Sequence, residues 1–228
     1  FLLSAQAGAA TGARRTGLLV AGALLAAGVV GFGALRQRRD ARRLRSAEEL
    51  AVAAQEELGT ALNGALGPIT SYLGELVDAP DAETQATIAG QLRQAVVDAA
   101  VRLTAPGSRS AFYRLAPAGD RLTREVYAGR AALPRPEFRT GTRDGDAVLD
   151  LVARGDLVFV EDVATDPMVR PTVPGSYRTV IAAAVTAGER RLGMLTVDAP
   201  QPGDLSRTDV ELVRVLANLL GSGLAQAE

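Results

Sequence analysis

Residues 177–227 read YRTVIAAAVTAGERRLGMLTVDAPQPGDLSRTDVELVRVLANLLGSGLAQA, and the period of the apolar residues changes within that stretch. The runs at 177–187 and 190–199 meet at Gly188-Glu189, a pair suited to a tight turn between two antiparallel strands. Beyond them Ser206 stands where a helix N-cap is needed and Asp209 at the reciprocal capping-box position, while Leu205 and Val210 complete a hydrophobic staple. Val210, Val213, Leu216, Leu220 and Leu224 then recur at helical spacing, giving one stripe that should lie against the sheet.

Upstream of this stretch, LVFVEDV (157–163) reads as a third apolar strand, preceded by a helix over 147–153 and a glycine- and proline-rich stretch up to Gly145. Earlier still, RSAFYRLA and RLTREVYAG flank Gly119-Asp120 and predict a hairpin. An amphipathic helix leads into it, with Ile88, Leu92, Val96, Ala99 and Leu103 on one face, a turn and cap at Asp78–Asp81, and a stop at Ala-Pro-Gly 105–107. Gly67-Pro68 is expected to end or kink the preceding helix, with a short helix over 69–77 after it. Before that, Leu44, Ala51, Leu58 and Ala65, together with Ala47, Ala54 and Ala61, keep a heptad spacing. A short parallel coiled coil that makes a homodimer, or an amphipathic helix packing on its own domain, would both produce it.

The first third of the chain is different again. GLLVAGALLAAGVVGFGAL (17–35) contains no charged residue and is long enough to cross a bilayer as a helix. Arg14 and Arg15 precede it, and the Arg36–Arg45 cluster follows it, so the positive-inside bias places the C-terminal side in the cytoplasm. A twin-arginine export signal and a buried core helix are the rival readings; no small-x-small cleavage site follows the run, and arginines flank it on both sides. Residues 1–16 are then an N-terminal tail or an external loop, and because the chain begins at Phe1 they admit an earlier membrane helix. Small residues four apart, Gly22 with Ala26 and Ala27 with Gly31, would let two such helices approach closely.

Charge and composition narrow the chemistry. Residues 1–45 carry a net charge of +7, which leaves −8 on the rest of a chain whose total is −1. The arginine cluster therefore points to anionic lipid, and the acidic remainder offers no footprint for nucleic acid. All 25 basic residues are arginine, a bias in keeping with a GC-rich bacterial genome, and His, Cys and Trp are absent. That removes the usual zinc, haem and iron–sulfur ligands, disulfides, thiolate nucleophiles and Ser-His-Asp triads, so the expectation is a protein that is not an enzyme. Asp144-Gly-Asp146 invites a hard-cation reading, and Glu161, Asp162 and Asp166 a paired-carboxylate one. Helix N-capping by Asp144 or Asp146, and turns around Thr165-Asp166-Pro167, account for them as well, and no catalytic or metal residue is assigned.

The order helix, two strands, long variable segment with a helix, three strands, final helix resembles the GAF domain, a sensory module of the same broad fold family as PAS domains. The resemblance covers 108–227 and is carried most specifically by the L-G-x-L-x-x-D run at 192–198, the acidic cap and the long helix after it, with EDVATDP (161–167) similar to the family's loop. It implies an α+β fold with an antiparallel sheet flanked by helices, here after a transmembrane helix at 17–35 and a helical connector at 36–104. It also implies a ligand pocket between the sheet and the segment 129–176, lined by Phe159, Tyr177, Arg178 and Met194, and terminal helices that dimerise. Arg139, Arg143 and Arg170 would clamp an anionic ligand, although solvated loop arginines would read the same way. The chain lacks the Cys that would hold a bilin or reduce methionine sulfoxide, the His for haem, and the Asn-Lys-Phe-Asp-Glu set of cyclic-nucleotide-binding members. Overall the expectation is a membrane-anchored bacterial GAF module, actinobacterial in its codon bias, with an unidentified ligand or cofactor and an unidentified output protein; a ligand-independent dimerisation scaffold is the alternative.

Overall fold

A computed structural model describes residues 59–166 and 176–227. The expected membrane span at 17–35, the Arg36–Arg45 cluster, most of the heptad seam and Arg170 lie outside them. Among the described residues no helix is long and apolar enough to cross a membrane.

Residues 59–78 form helix α1, followed by α2 (Ala82–Leu103), the hairpin β1 (Arg109–Leu115) and β2 (Arg121–Gly129), and a short strand β3 (Glu137–Arg139). Helix α3 (Arg143–Arg154), strands β4 (Leu157–Val160), β5 (Thr179–Ala187) and β6 (Arg190–Ala199), and helix α4 (Arg207–Gln226) complete the chain. The six strands form one antiparallel sheet in the order β3-β2-β1-β6-β5-β4. Strands β1 and β6, far apart in sequence, are therefore central neighbours.

Alternation sorts the strand residues onto two faces. Phe112, Ile181, Val185, Leu195 and Val197 point to one, where α1, α2 and α4 cover them with Ile69, Leu92, Val96, Leu216, Leu220 and Leu224. Ala111, Tyr113, Ala182, Ala184 and Met194 point to the other, where α3 contributes Leu149, Leu151 and Val152. Two glycines mark where backbones approach too closely for a side chain. A Cβ on Gly223 would come within 2.2 Å of Leu92 Cδ2 and 2.8 Å of Leu73 Cδ2, so the three helices of the first face meet there. A Cβ on Gly193 would lie 2.1 Å from the Tyr113 carbonyl oxygen and 2.9 Å from the Phe112 ring, which is why the L-G-x-L run needs its glycine.

The capping box at Ser206 and Asp209 is present, with Ser206 N donating to Asp209 Oδ2 at 2.7 Å, and Leu205 is buried in the same core that Val210 packs against. Asp81 caps α2 by accepting from Thr84 N at 2.7 Å. Four expectations need correction. Helix α1 does not end at Gly67-Pro68 but continues to residue 78: Ala65, Ile69 and Leu76 anchor one stripe of it in the core. The carbonyl that Pro68 leaves without a helical donor belongs to Gly64, which is exposed and can be hydrated. The variable segment contains a strand, β3, that three residues of mixed polarity do not announce. Helix α3 starts earlier than residue 147, at Arg143, and its N-cap is Thr142, whose hydroxyl accepts from Gly145 N at 3.2 Å; neither Asp144 nor Asp146 caps it. The third apolar strand is shorter, ending at Val160, because Asp162 turns the chain by accepting from Ala164 N at 3.0 Å. Residues 59–104, expected as a connector, share the core of the sheet through Ala65, Ile69, Leu76 and Leu92.

Candidate functional site

The second face of the sheet is apolar at its centre and changes character at one end. Arg109 opens β1 and pairs in register with Asp198 near the end of β6. Both are almost fully buried, at 4% and 7% exposure. Arg109 Nε and Nη2 both donate to Asp198 Oδ2, at 3.1 and 2.8 Å, and Arg130 Nη2 donates to Oδ1. Burial pushes the Asp198 carboxyl up, and the two guanidinium groups pull it back down. Two arginines on one carboxylate leave an excess positive charge, and Arg130 Nε is buried without an acceptor.

The same residues tie down the link between β2 and β3. Proline-containing, it cannot join a regular ladder, so its carbonyls need other donors. Arg109 Nη1 supplies Ala132 O, Arg124 Nη1 supplies Pro134 O, and the Tyr113 hydroxyl donates to Arg135 O at 3.1 Å. The Arg135 side chain then lies over the Phe138 ring, 4.9 Å from its centroid, and donates to Asp144 Oδ2 at 3.0 Å. Phe138 in turn meets Tyr113 edge-on at 5.1 Å. An open groove of about 550 Å³ runs along this surface, lined by Arg135, Glu137, Phe138, Arg139, Thr142, Arg143 and Asp144.

Tyr177 enters the cluster from the start of β5. Burial pushes its phenol up to about 12, Asp198 adding to the rise and Arg135 and Arg109 opposing it. Tyr113 is pushed up further by the same cause. The end of the sheet is thus a place where two phenols, three guanidinium groups and two carboxylates converge, able to donate many hydrogen bonds and to compensate negative charge.

Of the six residues singled out from the sequence, Arg170 lies outside the described residues and the other five do not line one pocket. Met194 is buried at the centre of the second face and Tyr177 is half-buried at its polar end. Phe159 pairs with Ile181 and packs into the helix-covered core on the opposite face, so it cannot share a cavity with Met194. Arg178 sits at the rim in a bidentate pair with Asp162, with bonds of 2.9 and 2.7 Å that hold the Asp162 carboxyl below its ordinary value. Arg139 lies along the groove, 60% exposed and 2.8 Å from Glu137. Of the carboxylates considered for acid–base or cation chemistry, Asp144 pairs with Arg135, Asp146 accepts from Gly141 N at 2.9 Å, and Asp162 pairs with Arg178. Among the described residues no group of three or more carboxylates is arranged to hold a metal ion.

Sequence reasoning missed Arg109, Arg130, Arg135 and the role of Asp198. The signal was there for two of them: Arg109 and Asp198 are the charged members of otherwise apolar strands, RSAFY and MLTVDA. Their partnership depends on the pairing of β1 with β6.

An antiparallel sheet with helices packed against both faces, and a polar cluster at one end of the face beneath α3, defines an α+β domain. The GAF domain profile matches residues 90–225, and the chain belongs to the GAF domain family. GAF domains generally bind small molecules in sensory and signalling roles. Solved structures agree on the fold. The GAF domain of a phosphoenolpyruvate-protein phosphotransferase from Coxiella burnetii matches with a TM-score of 0.54 at 15% identity, covering 73% of this chain and 95% of that one. The corresponding domain from Acinetobacter gives 0.51 at 15% identity, covering 72% and 95%. GAF3 of Slr1393 from Synechocystis, in its photoproduct state, gives 0.50 at 18% identity, covering 61% and 94%. No curated protein matches the chain.

Proposed function

We propose that this chain is a membrane-anchored sensory module that works by binding a small molecule on the second face of its sheet and passing the event to a partner through its helices, rather than by turning a substrate over. The observation that carries the binding reading is the buried Arg109–Asp198–Arg130 network, charged in excess and with Arg130 Nε lacking an acceptor. A face needed only for packing would be filled more stably by apolar side chains of similar volume. Tyr177 stands at the polar end of that face with Met194 beneath it, and Arg139 and Arg178 lie at the rim, so a ligand there is held by Tyr177 and these arginines, with Arg170 kept as a candidate on the sequence alone; Phe159, on the other face, acts only through the core. Support for the anchor is the uncharged run at 17–35 with the Arg36–Arg45 cluster after it, a charge order that favours the cytoplasmic side and anionic lipid. Support for a homodimer is the heptad spacing before residue 65.

The test is native mass spectrometry of the full chain released from detergent, paired with thermal unfolding in the presence of candidate metabolites. A dimer carrying an adduct, or a saturable rise in unfolding temperature, is the expected result. A monomer that shows neither adduct nor shift refutes the reading. One observation favours a second reading, a ligand-independent scaffold: the centre of the second face is already filled by Tyr113, Met194, Leu149 and Val152. A dimer with no adduct and no shift supports that one.

A further inference from the structure

We infer that the groove between β3 and the start of α3 takes the carboxylate of a small organic acid, and that Asp144 occupies that carboxylate's place when no ligand is bound. The inference rests on the small-molecule reading above and names the ligand class for it. Arg135 is the centre of the argument. Its guanidinium lies over Phe138, 4.9 Å from the ring centroid, and lines the groove. What it now donates to is a carboxylate, Asp144 Oδ2 at 3.0 Å.

The exchange is cheap on both sides. The two side chains are 24% and 25% exposed, so water screens the attraction between them. Once displaced, Asp144 remains in the first turn of α3, where a negative charge is favourable without Arg135. The incoming carboxylate finds Arg139 and Arg143 along the same groove, three arginines against Glu137 and Asp144. Its arrival also has an internal consequence: Arg135 O accepts from the Tyr113 hydroxyl, and both Arg135 and Asp144 act on the Tyr177 phenol. Occupancy of the groove is therefore felt in the buried cluster at the end of the sheet.

The test is a calorimetric titration of the full chain in detergent with acetate, succinate and inorganic phosphate at constant ionic strength. Succinate is expected to bind saturably. Asp144→Asn, which removes the competing charge, should tighten binding about tenfold, the equivalent of one charge-assisted hydrogen bond. Arg135→Gln should abolish it, and Arg135→Lys, which retains the charge without the fork, should weaken it about tenfold. Arg154→Gln, at the far end of α3, should change nothing. If Arg135→Gln fails to fold, the opposite responses of Asp144→Asn and Arg135→Lys still decide. Carboxylate binding that ignores both substitutions overturns the inference, as does phosphate binding with this dependence in the absence of carboxylate binding. A neutral ligand that needs Tyr177 and Met194 but not Arg135 also overturns it while leaving the sensory reading intact. No saturable ligand of any class overturns both.

Discussion

The face of the sheet beneath α1, α2 and α4 is closed almost wholly by aliphatic side chains from every element that touches it. The face beneath α3 is covered, among the described residues, by one helix of 12 residues and ends in two arginines sharing a buried carboxylate. The first spreads its stability over many interchangeable contacts; the second concentrates it in one ionic group. Burying charge where aliphatic packing would serve is a costly way to close a core. In the proposed reading, that cost marks the second face as the one that binds.

The comparison is broken most directly at Asp198. Asp198→Ala leaves two guanidinium groups without their carboxylate and should lower the unfolding free energy by about 3–5 kcal/mol, read as a shift in the urea midpoint at unchanged slope. The sharper form replaces all three members together, Arg109→Met, Arg130→Met and Asp198→Leu. Stability should then return to the wild-type level or above while ligand binding stays lost. A triple variant that keeps its ligand would remove the distinction between the two faces.

Leu220→Ala is the matching substitution on the helix-covered face. Leu220 is fully buried among α4, the sheet and the other helices, and its truncation should cost about 3 kcal/mol, a lost transfer energy plus a cavity. Affinity for a ligand of the second face should not change once the folded fraction is allowed for. A change in affinity at saturating stability would show that the faces are energetically coupled.

The legibility of the chain follows the same division. The stripe on α4, its capping box, the hairpin at Gly119-Asp120 and the turn at Gly188-Glu189 depend on residues close in sequence, and spacing alone revealed them. The polar cluster depends on pairings across 89 and 68 positions, Arg109 and Arg130 with Asp198, which no local pattern reports. Phe159 entered the expected pocket only by its position in the resemblance, and apolar strand residues look alike from either side; the register Phe159–Ile181 decides which face it joins. Helix α1 was expected to end or kink at Gly67-Pro68 because propensity is local, whereas the packing against α2 and α4 that carries it onward is not.

Alkali gives a third, smaller test of the second face. The Tyr177 phenol is held up at about 12 by burial. The unfolded chain, with a tyrosine value near 10, gives up that proton first. The contribution is therefore fully present below about pH 10 and is lost as the pH rises toward 12, at about 2–3 kcal/mol in all. Tyr177→Phe should flatten that limb of the stability curve and remove one late phenolate from the near-ultraviolet titration. An unchanged alkaline limb would place Tyr177 in water and detach it from the cluster.

The smallest effect concerns two polar atoms that lack partners, one on each face. Ser110 Oγ is buried on the helix-covered side, on the same strand face as Phe112, and Arg130 Nε is buried in the cluster. On a face whose role is packing, an orphan hydroxyl contributes only a desolvation penalty. Ser110→Ala should therefore raise stability by about 1 kcal/mol and leave binding untouched. On a face whose role is recognition, the orphan donor has a use, and Arg130→Met should weaken ligand binding by more than its effect on folding accounts for. Equal and purely structural responses at the two positions would mean that the asymmetry between the faces is one of packing style alone.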